Sequence, residues 1–555
     1  MKPAALHWNL SHSYRTLPPM FFSEGRPACF PDPQVVLFNR SLARELGLLA
    51  AEDTTGTLQT GAPLDAGASK VPGARPQRQT TEPDDGALMA EAAAFFSGNR
   101  FPEGAEPIAQ AYAGHQFGHF AMLGDGRATL IGEQITPDGQ RIDIQLKGNG
   151  QTPYSRRGDG KAALGPMLRE YLISEAMHAL HIPTTRSLAV VTTGETIYRS
   201  SLLTGAVLTR TAQSHIRVAT FQFAAALRDA DTLKALADYA IERHFPEISN
   251  AGTDDASNQT TAAPNPYLQL LGKVIERQIA LVARWQAVGF IHGVMNTDNM
   301  AIAGETIDYG PCAFMDTYDP DTVFSSIDHQ GRYRYSNQPP IAHWNLTRFA
   351  ETLLPLFSED QDEAIRIANE ALQAFGERFD AVYQQEMARK LGLFPRHAAT
   401  TQPDGADAVT DLDSDDAILI ADLLTQMHAY SADYTNTFVR LTLEADGRDG
   451  AYLDGTETLF SAGAFGAWKT RWLTRIDGQT RGRQAAAALM KSVNPAVIPR
   501  NLRVEEALEA AEGGNLQPFK ALLAVLQRPF DHEADVRPWQ AVPKNSRGYQ
   551  TFCGT

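Results

Sequence analysis

The sequence predicts an α+β fold in two lobes. A small strand-rich lobe carrying one helix comes first, then a larger helical lobe, with an N-terminal extension in front and a helical C-terminal region behind. Three observations predict it. Period-two alternation begins near Phe117 and is clearest in Arg141-Ile142-Asp143-Ile144-Gln145-Leu146-Lys147, as on a half-buried strand. One apolar stripe at helical spacing interrupts those strands: Leu168, Leu172, Ile173, Ala176, Met177 and Leu180. From Val218 the spacing is helical almost throughout, broken by one polar, glycine-bearing stretch, Gly289 to Gly310.

Taken in order, residues 10–50 hold Leu17-Pro18-Pro19, Phe21-Phe22 and a short amphipathic helix near Ser41–Leu48. Residues 51–87 are rich in Thr, Gly, Ala, Pro and Asp without apolar periodicity, and are expected to be a disordered insert. Similar polar stretches fall near 250–263 and 398–415. Phe117–Met122 and Ala128–Ile135 predict a hairpin turning through Leu123-Gly124-Asp125-Gly126-Arg127. Lys147 ends the next strand, and Gly148 to Gly160 is a polar loop. Pro166 suits the first position of a helix over Pro166–Leu180, with Glu170 in its first turn and off the apolar stripe. Strands follow at Leu188–Thr193, Thr196–Ser200 and Ala206–Thr209, then helices at Tyr267–Val288, Gln361–Lys390, Ala417–Met427 and Thr458–Arg475. The domain bounds this implies are an extension over 1–100, a strand-rich lobe over 101–212, a helical lobe over 213–345, and a helical C-terminal region with a flexible tail over 346–555.

The bulk numbers exclude several classes. The chain has 555 residues, 43% of them hydrophobic, enough for two or more domains. Its 65 acidic against 49 basic residues, net −16, argue against general binding of nucleic acid or anionic membrane. Three scattered cysteines, Cys29, Cys312 and Cys553, make neither a disulfide framework nor a zinc site, which points to a reducing, cytoplasmic home. No apolar run is long enough to span a membrane, and the first residues lack the apolar core of a signal peptide.

The chemistry concentrates in Gly289 to Gly310. Asn299 and Asp308 project an amide and a carboxylate from adjacent loop ends. Mg²⁺ takes hard oxygen ligands, often one or two from protein with phosphates and water completing the shell. Protein kinases use this layout: a His-Arg-Asp loop ending in a metal-binding Asn, then Asp-Phe-Gly. Here His292 and Asn299 keep that spacing, and Asp308-Tyr309-Gly310 stands for the last motif. The base position, two after His292, holds Val294, which accepts no proton; the nearest carboxylate is Asp298. His292 itself reads as a brace rather than a base or ligand.

Other residues fit the same order along the chain, the layout of a protein-kinase-like fold. Gly124, Gly126 and Arg127 suit a cover over a nucleotide, although such a run is by itself most often a plain turn. Lys147 with Glu170 resembles the kinase lysine and its helix partner; a surface ion pair is the bland alternative. Arg210 and Arg217 bracket His215 where strands give way to helix, and guanidinium groups grip phosphate bidentately. Asp159-Gly160 offers a further polar contact or simply a turn.

Longer motifs carry a resemblance. Tyr112-Ala113-Gly114-His115-Gln116-Phe117-Gly118, Gln145-Leu146-Lys147-Gly148, Thr152 to Gly160, Met167-Leu168-Arg169-Glu170-Tyr171 and His292 to Asn299 resemble the selenoprotein O family, called YdiU in bacteria. The likeness runs over nearly the whole chain outside the three polar inserts. It implies a kinase-like fold that binds ATP flipped and transfers AMP to Ser, Thr or Tyr hydroxyls of proteins, the chain itself among the candidate acceptors. It implies that Gly124, Gly126, Arg127, Lys147, Asp159, Gly160, Arg210, Arg217 and Asp308 contact ATP and that Glu170 orients Lys147. Asn299 and Asp308 would bind Mg²⁺, with Mn²⁺ as an alternative, and Asp298 would be the proton acceptor. Some members pair a C-terminal cysteine with one in the activation segment; Cys553 is present here, but the matching partner position is Phe324. Two rival readings stand beside this one: a kinase moving the γ-phosphate with Asp298 as relocated base, and a nucleotide-binding or redox scaffold without transfer.

Overall fold

The computed structural model describes residues 6–50, 85–199, 201–250, 265–395, 413–533, 536–544 and 548–552. The insert expected at 51–87 therefore lies outside the described residues up to 84, as do 251–264, 396–412 and Cys553. Residues 85–87 are not part of an insert; they open a helix.

The strands are β1 (Leu10–Ser11), β2 (Phe22–Glu24), β3 (Gln34–Phe38), β4 (Ile108–Gln110), β5 (Ala113–Gln116), β6 (His119–Met122), β7 (Ala128–Ile135), β8 (Arg141–Lys147), β9 (Ala162–Ala163), β10 (Arg186–Tyr198), β11 (Leu202–Ala212), β12 (Phe290–Ile291) and β13 (Ala313–Phe314). One antiparallel sheet orders them β2-β4-β7-β8-β11-β10-β3, with β1 on β7 and β9 on β11. β7 and the end of β8 are buried almost residue by residue, because both faces are covered. On one face lie α1 (Arg40–Glu45) and α2 (Asp85–Phe96), packed on Ile131, Ile144, Leu188 and Val191. On the other lies α3 (Leu164–Ala179), whose Leu168 and Leu172 are fully buried. Truncating either to Ala would cost about 2–5 kcal/mol.

Below the sheet come α4 (Val218–Ala226), α5 (Ala230–His244), α6 (Pro246–Asn250), α7 (Pro266–Val288) and α8 (Gln338–Phe357). Asn265 caps α7 by accepting from the backbone of Tyr267 and Leu268, and Pro266 starts it. The helices Ser414–Ala429, Tyr434–Ala445, Glu457–Ser461, Gly463–Asp477 and Gly482–Val493, with the end of Phe375–Lys390, build a second core around Trp468 and Trp472, both buried. Two later helices, Asn501–Glu512 and Gln517–Leu526, return to pack on α3. Arg500 ties the regions together at 2.7 Å from Asp316 and 2.5 Å from Asp433, all three buried. Fold class is thus mixed α and β, with one large antiparallel sheet and a helical C-terminal region.

Several expectations are corrected. Phe117–Met122 does not form a hairpin with Ala128–Ile135. β6 pairs with β5 instead, through Phe117 and Gly118 at φ 49° and 85°, a two-residue turn with both central residues left-handed. Leu123 to Arg127 is the crossing from that hairpin into the main sheet. Pro166 sits at the third position of α3, where its missing N–H is still harmless, and Glu170 falls in the second turn. The two strands expected over 188–200 are one, β10, with a register shift between Thr192 and Thr196. Met300-Ala301-Ile302, an apolar run that would suit a short strand, forms none; Ala301 makes only a bridge to Arg217. The C-terminal stretch is not loose where it is described: Arg537–Gln540 is helical and Thr551 is buried.

Candidate active site

Lys147 at the end of β8, Glu170 on α3 and Arg210 on β11 point into one space between sheet and helix. Arg217 enters it from the residue capping α4. Asp308 meets them there. Lys147 Nζ lies 2.6 Å from Glu170 Oε2 and 2.6 Å from Asp308 Oδ1. Arg210 donates to Asp308 Oδ1 at 2.6 Å, to Glu170 Oε1 at 3.3 Å and to Gln145 Oε1 at 2.8 Å. Arg217 donates to Asp308 Oδ2 at 3.2 Å and to the Asp298 carbonyl at 2.9 Å, and lies 3.8 Å from Asp125. Three cations thus face three carboxylates. Burial alone would raise the Asp308 carboxyl, but Arg210, Lys147 and Arg217 hold it well below the usual carboxylate range. Asp308 has φ 63°, a left-handed conformation that aims its side chain back at the sheet.

Asp125 was not singled out from sequence. It is buried, accepts from the Gln110 amide at 3.1 Å and from Gln145 at 3.2 Å, and so anchors the glycine-bearing crossing to the sheet. Gly124 has φ 124°, and a Cβ there would sit 2.5 Å from the Tyr154 ring, so only glycine lets the crossing lie this close to the 152–160 loop. Tyr112, also missed, packs its ring 4.8 Å from the Arg217 guanidinium. Tyr112 falls inside a motif that carries the family resemblance, and Asp125 stands between the two glycines of the Gly124 to Arg127 run; those are the signals that mark them.

The loop after β12 is braced as expected. His292 is fully buried, donates from Nε2 to the Ile307 carbonyl at 2.9 Å, and takes its backbone partner from Gln338. Burial lowers its pKa, so it is a neutral strut. Asn299 donates from its amide to the Val294 carbonyl at 2.8 Å, which leaves the amide oxygen for the cavity. Asp298 is nine-tenths buried; among the described residues its Oδ1 has no hydrogen-bond partner, and Oδ2 receives only Gln116 Nε2 at 3.4 Å. Burial raises its pKa against the pull of Arg217. The β5–β6 hairpin clamps this loop: His115 N–H donates to Thr297 Oγ1 at 2.7 Å and Phe117 N–H to Asn296 Oδ1 at 3.0 Å.

Two cavities meet at Asp298. One, about 700 Å³, holds the cation cluster with Val294, Asn299 and Asp308. The second, about 750 Å³, is lined by Gly124, Gly126, Arg127, Asp159 and Gly160. Of the predicted residues Gly126 and Arg127 line both chambers, whereas Gly124, Asp159 and Gly160 line the second and not the first. Asp159 turns to Arg199 at 2.8 Å, away from Lys147. The C-terminal segment walls the first cavity with Tyr549 to Phe552: Thr551 donates its N–H to the Phe324 carbonyl at 2.8 Å and its hydroxyl to the Pro311 carbonyl at 2.7 Å.

The donors fit a hard divalent cation. Asn299 offers an amide oxygen and Asp308 its less engaged Oδ2, while the orphaned Oδ1 of Asp298 is a further unsatisfied oxygen close by. Among the described residues no group of three or more His, Cys, Asp or Glu could hold a metal, so phosphate oxygens would have to complete the shell.

Comparison with known proteins gives consistent matches. A family model described as Protein adenylyltransferase SelO matches residues 83–527. The chain is 51% identical over 550 residues to the protein nucleotidyltransferase YdiU of Bacillus cytotoxicus, covering 99% of this chain and 98% of that one. It is 52% identical over 551 residues to the protein of the same description from Brevibacillus brevis, with the same coverage.

Proposed function

The chain belongs to the SelO family of protein adenylyltransferases, and from that premise we propose that it binds ATP flipped in a two-lobed, kinase-like frame and moves AMP to the Ser, Thr or Tyr hydroxyl of a protein. As a family member it is a nucleotidyltransferase. The observation that carries it is the pairing of Val294 at the usual base position with a buried, half-satisfied carboxylate, Asp298, at the junction of two cavities.

The deep cation cluster suits the β- and γ-phosphates, with Lys147, Arg210 and Arg217 as their counter-charges and Glu170 holding Lys147 in line. The nucleoside then extends toward Gly124, Gly126, Arg127, Asp159 and Gly160, which brings the α-phosphorus beside Asp298. Asp298 takes the acceptor hydroxyl's proton on Oδ1 as the hydroxyl oxygen bonds to the α-phosphorus. The bond from the α-phosphorus to the α–β bridging oxygen breaks, its electron pair stays on pyrophosphate, and the cations steady the departing charge. Asn299 and Asp308 would hold Mg²⁺ or Mn²⁺, which would neutralise phosphate charge when bound.

The same reading takes 1–100 as an extension, 101–212 and 213–345 as the lobes, and 346–555 as the helical C-terminal region. The sheet running through β11 and the helices starting at α4 support the division near 212. It takes a cytoplasmic protein acceptor, without nucleic acid or membrane, in keeping with the net charge of −16. Among the described residues no helix is long and apolar enough to cross a membrane.

The test is ATP labelled at the α or the γ phosphorus. Adenylylation attaches the α label only, and Asp298→Ala lowers that attachment by about 10²–10⁴-fold with ATP still bound. Attachment of γ label alone would establish a kinase. Binding without attachment of either label would favour the scaffold.

A further inference from the structure

The hairpin that clamps the catalytic loop also presents a cationic, aromatic surface outward. Arg332 lies against its turn: a Cβ on Gly118 would be 3.9 Å from the guanidinium carbon. That guanidinium stacks 4.8 Å from the Trp344 ring centroid. Its neighbours Arg334 and Arg348 are paired with Asp321 and Glu351. Among the described residues Arg332 carries no ion pair, and its Nε is buried without a hydrogen-bond partner. Trp344 continues through His115 to Phe120, with ring centroids 5.3 and 5.4 Å apart. Phe120 and Met122, two residues apart on β6, are 48% and 57% exposed and extend that aromatic chain as an apolar face.

The surface connects directly to the candidate base. Tyr333, next to Arg332, donates its hydroxyl to Asn296 Oδ1 at 2.6 Å, and Phe117 of the turn donates its N–H to the same oxygen. Asn296 is two residues before Asp298. We propose that the hairpin, Arg332 and Trp344 form the docking surface for the acceptor protein, and that it selects an extended acidic segment. The inference rests on the transfer reading above for what is docked. Charge complementarity selects the occupant: an unneutralised guanidinium on a chain of net charge −16 attracts a carboxylate, while the rest of that surface repels one. A segment held there by an acidic side chain places a nearby hydroxyl at Asp298.

The test uses two fluorescein-labelled peptides, each with a single serine, one flanked by aspartates and its twin by lysines. They are titrated into the full chain without nucleotide, and binding is read by anisotropy. The aspartate peptide should bind about tenfold tighter than its twin. Arg332→Glu should invert that order and Arg332→Lys should keep it. Phe120→Ser should weaken the aspartate peptide severalfold, with the thermal melt of each variant matching the parent. Equal binding of the two peptides, binding of neither, or an unchanged order in Arg332→Glu overturns the proposal. Transfer is scored separately with α-labelled ATP. Arg332-dependent binding without labelling of any acceptor refutes the transfer reading alone. Labelling that ignores Arg332→Glu refutes the docking surface alone.

Discussion

Replacing Glu170 by Gln tests the balance of charge in the cation cluster. The substitution preserves shape and removes one of three carboxylates facing Lys147, Arg210 and Arg217. Glu170 is 3% exposed and serves two of those cations, at 2.6 and 3.3 Å. Breaking a buried ion pair by removing one partner costs about 3–5 kcal/mol, because the other charge stays desolvated. The lower end applies here, since Lys147 keeps Asp308 at 2.6 Å and the cluster borders an open cavity. Glu170→Gln should therefore lose about 3 kcal/mol of stability without nucleotide. A triphosphate supplies the missing negative charge, so saturating ATP should raise the variant's melting temperature by more than it raises the parent's. Label transfer should still fall, because Lys147 loses its guide. Thermal melts with and without ATP, and denaturant titrations, read these quantities. A variant within about 0.5 kcal/mol of the parent, the range of an ordinary surface change, would refute the reasoning. So would an equal or smaller ATP shift.

Asp308→Ala should abolish transfer while circular dichroism still reports a folded chain, since Asp308 belongs to no helix or strand; full activity would remove it from the machinery. His215 gives a pH signature: burial lowers its pKa to about 4 despite its bond to Asp143, with Arg210 also opposing protonation. The unfolded chain takes that proton near 6.5, so the group's contribution is intact above 6.5 and drains as pH falls toward 4, by at most about 1.4 kcal/mol per unit. In His215→Asn the fall in denaturant midpoint between pH 7 and 5 should be shallower; a slope equal to the parent's would count against it. Native alkylation followed by mass spectrometry should mark exposed Cys29 and spare Cys312, whose thiol burial pushes up to about 12; modified Cys312 in folded protein would contradict that burial.

Legibility followed the range of each interaction. Lys147 and Glu170 were readable because strand and helix periodicity place each at a definite point on its own element. Asn299 and Asp308 were readable because their loop carries a motif. The hairpin was misread because pairing is a choice between partners. Two glycine-bearing turns, at Gly118 and Gly124, flank the same strand, and periodicity cannot say which one closes it. Gln116, Asp125 and Tyr112 escaped notice as individuals, since their contacts lie across the chain. The second cavity was invisible for a like reason: Asp159 and Lys147 are near in sequence, but the 152–160 loop turns one of them away.

The C-terminal segment makes the pocket a late event in the life of the chain. Tyr112 at one end and Thr551 at the other line the same space. A nascent polypeptide still lacking residues 549–552 has the cation cluster, the loop and the hairpin, but an open side where Tyr549 to Phe552 belong. The enclosure is complete only once Thr551 has met the carbonyls of Phe324 and Pro311.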